Sequence, residues 1–370
     1  MLRVFLLALL LTTTANAQWQ ILDAHTTADF RGVSSVGKGI VWISGTNGTV
    51  LRSEDAGYLW QHCTTPPDAE HLDFRGIQAF DSDTAIVMSS GKGDLSRLYK
   101  TTDGCQTWKL VFTNPDKDGF WDGMRFVSRK GALIGDPVDG KFAIFESYDA
   151  GETWARFRRA QAKAGRGEAV FAASNSAILP DLRFVTGGQS GSHAFYVQWQ
   201  GHSDLYFGSA PSSATYERLS LPMKKASSAG AFSIASRPGP GGSTFYDYMI
   251  VGGDYQHPDS DGSSVFWPTP VGRGIFLGKG LPLFGCCISP TTPPHGYRSA
   301  VAYDEPTKTW ITVGPNGTDI STDDGRNWHT LKPSTNDAPD ADKNWNALSL
   351  PFVVGPHGHV GMIQPDALKH

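Results

Sequence analysis

The sequence predicts an all-β fold: a seven-bladed β-propeller of four-stranded antiparallel blades, its ring closed by the N-terminal strand. Three recurrences predict it. The first is a corner, Ser or Thr, then Asp two residues on, then Trp five beyond the Asp, found at Ser53 to Trp60, Thr101 to Trp108, Ser147 to Trp154 and Ser321 to Trp328. The Asp carboxylate accepts hydrogen bonds from its own turn, a small residue permits the reversal, and the Trp opens the next strand against apolar packing. The first three Asp residues stand at 55, 103 and 149, a period of propeller-blade size.

The second recurrence is the start of an inner strand, an aromatic or small residue followed by alternation, at Phe30, Phe74, Trp121, Gly167, Ala229, Tyr297 and Trp345. Seven starts imply seven blades. The two widest steps fall where the corner has been lost, around Ser209 to Glu217 and Val265 to Ile275. The third recurrence is a glycine-rich hairpin, at Gly45 to Gly48, Gly91 to Asp94, Gly135 to Gly140, Gly187 to Gly191, Gly252 to Tyr255, Gly314 to Gly317 and Gly355 to Gly358. Asn47-Gly48 and Asn316-Gly317 read as type I′ pairs with both residues at positive φ. With Thr49 and Thr318 they also spell Asn-x-Thr sequons, and the turn is the better reading because the strand pattern explains it.

Along the chain, Arg3, the apolar run Val4 to Leu11 and the small-x-small triplet Ala15-Asn16-Ala17 form a signal peptide, residues 1–17, with the mature chain starting at Gln18. The apolar run is far short of the ~20 residues that cross a bilayer, and Gln rather than Cys follows the cleavage site. An exported protein is expected, periplasmic or secreted, monomeric, without a transmembrane anchor and with one propeller domain over residues 18–370. The segment Gln18 to Asp23 precedes the first repeat and the last repeat offers only three strands after Trp345, so the former is expected to complete the latter. Closure in this way removes exposed sheet edges.

Composition agrees, with 42 Gly, 23 Pro and 11 Trp among 370 residues and no long stretch of helical periodicity. The formal charge of −4 does not suggest a nucleic-acid partner. The four cysteines leave pairing open. Cys63 and Cys105, in neighbouring repeats, are placed for a bridge between them; the adjacent Cys286 and Cys287 could pair with each other only as a strained ring and read as free thiols or as partners of an unnamed group. None has zinc-ligand spacing.

The corners are similar to the Asp-box, or BNR, repeats of sialidases and related propellers. From Phe30 to Gln364 the chain resembles the bacterial relatives of the photosystem II stability/assembly factor family. The runs LDFRGIQAFD, GDLSRLYKTTDGCQTW, FTNPD, GDPVDGKF, VGGDYQHPD, GYRSAVAY and VGPNGTDISTDDGRNW carry that resemblance. It implies a seven-bladed exported propeller that is not an enzyme, holds no cofactor and assists a protein partner. Cys105 departs from the pattern, standing where Gly is usual.

Within the corners, Asp55, Asp103, Asp149 and Asp323, with Trp60, Trp108, Trp154 and Trp328, are expected to be structural. Binding is expected where the inner strands open on the central channel. There Arg31, Arg75, Asp122, Glu168, Arg298 and Asn346 would form a ring, and convergent guanidinium groups would grip a carboxylate or phosphate. The competing reading has the three arginines pair with Asp122, Glu168 and nearby carbonyls to fill a polar channel. Asp136, Asp254 and Tyr255 follow their hairpin glycines and are further binding candidates, although such a carboxylate commonly caps its own turn. His257, Asp259 and Asp261 open like a calcium loop without the closing Glu, so no metal is expected. The basic run Arg156 to Gly167 reads as a solvated insertion loop, or more sharply as a docking arm for an acidic partner.

Two functions follow. The first is a non-catalytic propeller binding a protein or peptide of the cell envelope, acidic or carboxylate-bearing. The alternative is a sialidase-type glycosidase in which Arg31, Arg75 and Arg298 hold a substrate carboxylate, with Tyr255 or Tyr297, Glu168 and Asp122 as the reacting groups. Binding ranks first because no compact catalytic motif is present and fold alone does not assign chemistry. The glycosidase needs a Tyr hydroxyl hydrogen-bonded to a carboxylate and facing the arginines.

Overall fold

The computed structural model describes residues 17–200, 213–239, 246–260, 262–268 and 287–369. The expected leader up to residue 16, Asp261, Cys286 and parts of both degenerate corners lie outside them.

The chain runs as a succession of antiparallel sheets. After β1 (Trp19–Asp23) come β2 (Phe30–Gly37), β3 (Ile40–Gly45), β4 (Val50–Ser53) and β5 (Gln61–His62), which form one sheet in that order. The next holds β6 (Phe74–Ala79), β7 (Ala85–Ser89), β8 (Arg97–Thr101) and β9 (Lys109–Thr113), and a third holds β10 (Trp121–Val127), β11 (Lys130–Val138), β12 (Lys141–Ser147) and β13 (Ala155–Arg156). Strands β14 (Glu168–Ala169), β15 (Phe184–Gly188), β16 (Ser192–Gln200) and β17 (Ser213–Leu221) are joined to β18 (Ala229–Pro238), β19 (Tyr246–Asp254) and β20 (Ser263–Trp267) in a seven-stranded sheet. A four-stranded sheet follows, β21 (Ala300–Asp304), β22 (Thr309–Gly314), β23 (Gly317–Ser321) and β24 (His329–Thr330). The last contains β25 (Ala347–Ser349), β26 (Phe352–Val354) and β27 (His359–Ile363), with β1 as its fourth strand. Among the described residues the architecture is an all-β propeller with five separate four-stranded blades.

Closure by the N-terminal strand is observed. β1 pairs antiparallel with β27, from Trp19 opposite Ile363 to Asp23 opposite His359. The seven-stranded sheet is joined across its middle by one residue pair, Gly187 opposite Gly230. A Cβ on Gly187 would lie 2.6 Å from the Gly230 Cα, so only glycine at both positions permits that approach.

Apolar side chains fill the spaces between successive sheets. Trp42 and Val50 of one sheet pack with Phe74 and Val87 of the next, Ile86 and Leu98 with Trp121 and Leu133, and Trp19 and Trp345 with Ile311 and Val313. Burial at these seams is the main cohesive force of the ring.

All four Asp corners adopt one hydrogen-bonded form. Thr101 Oγ1 donates to Asp103 Oδ1 at 2.8 Å, the Thr107 N–H donates to the same oxygen at 3.0 Å, and the Cys105 N–H donates to Thr101 Oγ1 at 3.1 Å. Ser53 with Asp55, Ser147 with Asp149 and Ser321 with Asp323 repeat the pattern. Hydrogen bonds from Thr107 and Thr101 hold the Asp103 carboxyl at about 2. Burial pushes Asp149 up, but the bonds from Thr153 and Ser147 outweigh it and leave this carboxyl at about 2 as well. Both folded pKa values lie below the unfolded ~3.9, so the stability they confer is present above that pH and lost as pH falls toward 2. Replacing Asp149 by Ala is expected to cost about 1 kcal/mol, read as a lower urea midpoint at pH 7.

Two consecutive residues in each corner have positive φ, for example Ala150 at 59° and Gly151 at 82°. At the second position a Cβ would lie 2.6 Å from Leu22 at Gly57, 2.1 Å from Ile86 at Gly151 and 2.5 Å from Met249 at Gly325. Glycine there lets the corner seat against the preceding sheet. Cys105 occupies the same position in the second corner and forms a disulfide with Cys63, which follows β5 of the preceding sheet.

Two expectations are corrected. The basic run is solvated only in part: Arg158, Arg159, Lys163 and Arg166 are exposed, but Phe157, Ala160 and Ala162 are buried, the Phe142 N–H donates to the Ala162 carbonyl and the Ala164 N–H to the Gly140 carbonyl, so its apolar positions extend the outer edge of its sheet. Its Arg156 pairs with Asp116 and its Arg159 with Glu146. The Asn316-Gly317 hairpin also differs. Gly314 pairs with Gly317, which makes Pro315 and Asn316 the central residues, and proline holds φ negative, so of the expected pair only Gly317 has positive φ. Asn47 and Gly48 do both have positive φ, 56° and 65°.

Candidate site at the channel mouth

The tripeptide Asp-Phe-Arg opens two neighbouring inner strands, at Asp29 to Arg31 and Asp73 to Arg75. The two copies have different partners. Asp73 Oδ2 accepts from Arg75 Nε at 2.7 Å, whereas Asp29 Oδ1 accepts the His357 N–H at 2.8 Å. Among the described residues Arg31 therefore has no carboxylate bound to it, and its buried Nε has no hydrogen-bond partner. Burial, and then the charge of Arg75, lower the pKa of this guanidinium, which also feels Asp73 and Tyr297. Arg75 lies 5.9 Å from the Phe120 ring centroid and Nη1 donates to the Ala172 carbonyl at 3.4 Å.

Beside the arginines stand two carboxyls and an aromatic shelf. Asp122 is 2% exposed and its Oδ2 has no partner among the described residues. Burial, reinforced by the neighbouring Asp136, pushes its carboxyl well above the usual range. Asp136 is raised by burial to about 6, and Oδ1 accepts the Val170 N–H at 3.2 Å. Phe171 and Phe232 stack with centroids 4.1 Å apart, and Tyr255 and Tyr297 meet Phe232 edge-on at 6.2 and 4.8 Å. The arrangement presents a cation with no salt bridge among the described residues beside an apolar shelf, with carboxyls whose protonation sets the local charge. Because Asp136 has a folded pKa above its unfolded one, the native state binds the extra proton between about pH 4 and 6, and stability gains as pH falls through 6. From pH 7 to 5 that gain is expected to be about 1 kcal/mol. Urea midpoints of wild type and Asp136→Asn at the two pH values would read it, the variant lacking this component.

The expected ring is thus divided. Arg31, Arg75, Asp122, Asp136, Tyr255 and Tyr297 come together at one mouth; the other candidates are engaged elsewhere. Glu168 is buried and accepts from Thr186 Oγ1 at 2.6 Å, the Gly165 N–H at 2.6 Å and Arg218 at 2.8 Å. Asp254 accepts from Ser228 and from the Gln256 N–H, capping its own turn and contacting His257. Asn346 Nδ2 donates to the Phe30 carbonyl at 2.8 Å. Arg298 is fully buried, with Nε donating to Asp319 Oδ2 at 2.8 Å and Nη1 to Asn316 Oδ1 at 2.6 Å. The three arginines therefore form no cluster. Neither Tyr255 nor Tyr297 donates to a carboxylate among the described residues; Tyr148 does donate to Glu146 at 2.8 Å, but beside an outer corner.

The stretch Gly167 to Ala173, expected to be an inner strand, keeps only β14 as strand; residues 172–176 turn and bond to other sheets. Asn175 Oδ1 accepts the Met124 N–H at 2.8 Å and Nδ2 donates to the Ile77 carbonyl at 3.1 Å. Ser174 donates to the Ser299 carbonyl at 3.0 Å, and the hydroxyls of Ser176 and Ser233 share a hydrogen bond at 2.7 Å. This one segment therefore bonds to the inner strands of the second, third and fifth repeats and to Ser299 ahead of the sixth. A small residue two positions before a Phe, at Ala169 to Phe171 and again at Gly230 to Phe232, is the available signal for the aromatic shelf.

Corners, closed succession of sheets and arginine-bearing mouth define an Asp-box β-propeller. Residues 11–212 match the family model described as photosynthesis system II assembly factor YCF48, and the chain belongs to that family. It is 22% identical over 329 residues to the photosystem II assembly lipoprotein Ycf48 of Synechococcus sp. (strain CC9902), spanning 86% of this chain and 80% of the relative. Among solved structures, YCF48 bound to D1 peptide aligns with a TM-score of 0.58 at 17% identity, over 94% of this chain and 97% of that one. YCF48 from Cyanidioschyzon merolae aligns with 0.57 at 17% identity, over 95% and 100%. At these identities the structural likeness concerns the fold.

Proposed function

We propose that this protein is a non-catalytic assembly or stability factor that captures a peptide segment of a partner protein at the mouth built by Arg31, Arg75 and the aromatic shelf. The guanidinium of Arg31 carries the reading: a largely enclosed cation with no salt bridge among the described residues suits a carboxylate-bearing ligand, and the shelf suits the apolar side chain next to it. Family membership and the peptide named with the solved relative support the same class of ligand. The seven-stranded sheet then counts as two blades, β14 to β17 and β18 to β20, touching at Gly187 and Gly230, which gives seven around the axis. Residues 1–17 act as a leader that directs one propeller domain to the periplasm or the exterior.

Immobilised protein exposed to a native envelope extract is expected to retain a partner. Arg31→Ala should weaken retention about tenfold or more, the loss of one charge-assisted hydrogen bond, and Arg31→Glu should abolish it. Undiminished capture by Arg31→Glu, with an unchanged urea midpoint, would remove the mouth as the docking surface.

A further inference from the structure

The start of β1 is held by a carboxylate from a distant loop. Asp337 lies between β24 and β25, and its Oδ2 accepts the Gln18 N–H at 3.0 Å while Oδ1 accepts the Trp19 N–H at 2.9 Å. Ser334 orients the same carboxylate through its N–H at 2.7 Å and its hydroxyl at 2.6 Å, both to Oδ2. On the other side the Gln18 carbonyl accepts the Gln364 N–H at 2.9 Å. Trp19 is buried and stacks on Trp345 with centroids 5.9 Å apart. Gln18 is therefore held through its N–H by Asp337 and through its carbonyl by Gln364, at the seam where the ring closes.

This is also the nitrogen that leader removal would release. Hydrolysis of the Ala17–Gln18 peptide bond consumes one water, leaves a carboxylate on Ala17 and gives Gln18 an α-amine that is protonated at neutral pH. An amide offers Asp337 one N–H and no charge. An ammonium at the same place offers up to three donors and a full positive charge against a carboxylate already aligned by Ser334. We propose that Asp337 is a receptor for the mature N-terminus, so that proteolytic processing adds an ion pair to the closing seam and the processed ring is more tightly shut than the precursor. The inference rests on the leader reading but not on the peptide-binding function.

Intact mass and N-terminal sequencing of the exported protein test the leader, and a double-mutant cycle tests the receptor. Protein beginning at Gln18 is compared with protein that retains Ala15-Asn16-Ala17 before it, each with Asp337 and with Asp337→Asn, by urea denaturation. The Gln18-first protein is expected to have an unfolding equilibrium constant several-fold smaller than the extended form. Asp337→Asn should erase that difference while leaving both forms folded. A mature chain starting at another residue would overturn the inference through the leader. A chain starting at Gln18 would overturn it through the receptor if the two forms are equally stable, if their difference survives Asp337→Asn, or if Gln18 has cyclised with loss of ammonia and so lost its charge.

Discussion

Replacing Arg298 by Met is expected to lower the unfolding free energy by about 3 kcal/mol, because it leaves Asp319 as a buried carboxylate without its cation. Arg298 is fully buried and Asp319 is 1% exposed. Burial alone would raise the Asp319 carboxyl, but the His295 bond and the Arg298 charge hold it below the usual range. His295 keeps its 2.8 Å contact with Asp319 in the variant, which places the loss at the lower end of what a broken buried pair costs. A second change, Asp319→Asn, should recover part of the stability by removing the unpaired charge. Urea midpoints of the two variants check this, and capture of the partner by the folded protein should be unchanged, since the side-chain partners of Arg298 are Asp319, Asn316 and His295 and not the residues around Arg31.

Removing the disulfide has an expected cost of similar size. Cys63 and Cys105 are separated by 42 residues, and a cross-link closing a loop of that length stabilises by about 3–4 kcal/mol through the unfolded state. The Cys63→Ser, Cys105→Ser protein should therefore unfold at lower urea, and its midpoint should not respond to reductant. Wild-type protein in reductant should approach the variant. Equal midpoints for wild type and variant in oxidising buffer would show that side-chain packing alone holds this seam. The other three corners give a reason to expect otherwise, because each seats a glycine under a side chain of the preceding sheet where this one has the covalent link.

The corners could be read from the sequence because their hydrogen bonds run between residues two and four apart, so their chemistry is written as fixed spacing. Closure by β1 was legible for a different reason: the last repeat lacked a strand and the N-terminus had one without a partner. Which arginine remains open was not legible. It depends on Asp29 bonding the His357 N–H, a contact across 328 residues, whereas the identical Asp73 turns back to its own Arg75. Arg298 was misplaced for the same kind of reason, its carboxylate coming from β23, two strands later. The stretch from Gly167 to Ala173 reads as an inner strand, but only Glu168–Ala169 is one, because the residues that follow turn and bond to other sheets. Asn316 shows a local failure: the favoured pair was read one residue out because Pro315 takes the first central position of the turn.

The segment that crosses between sheets also acts as a fastener. Asn175 holds the backbones of two inner strands together, while Ser176 reaches β18 and Ser174 the residue before β21, so a force applied to it is felt by the strands that carry Arg75 and Asp122.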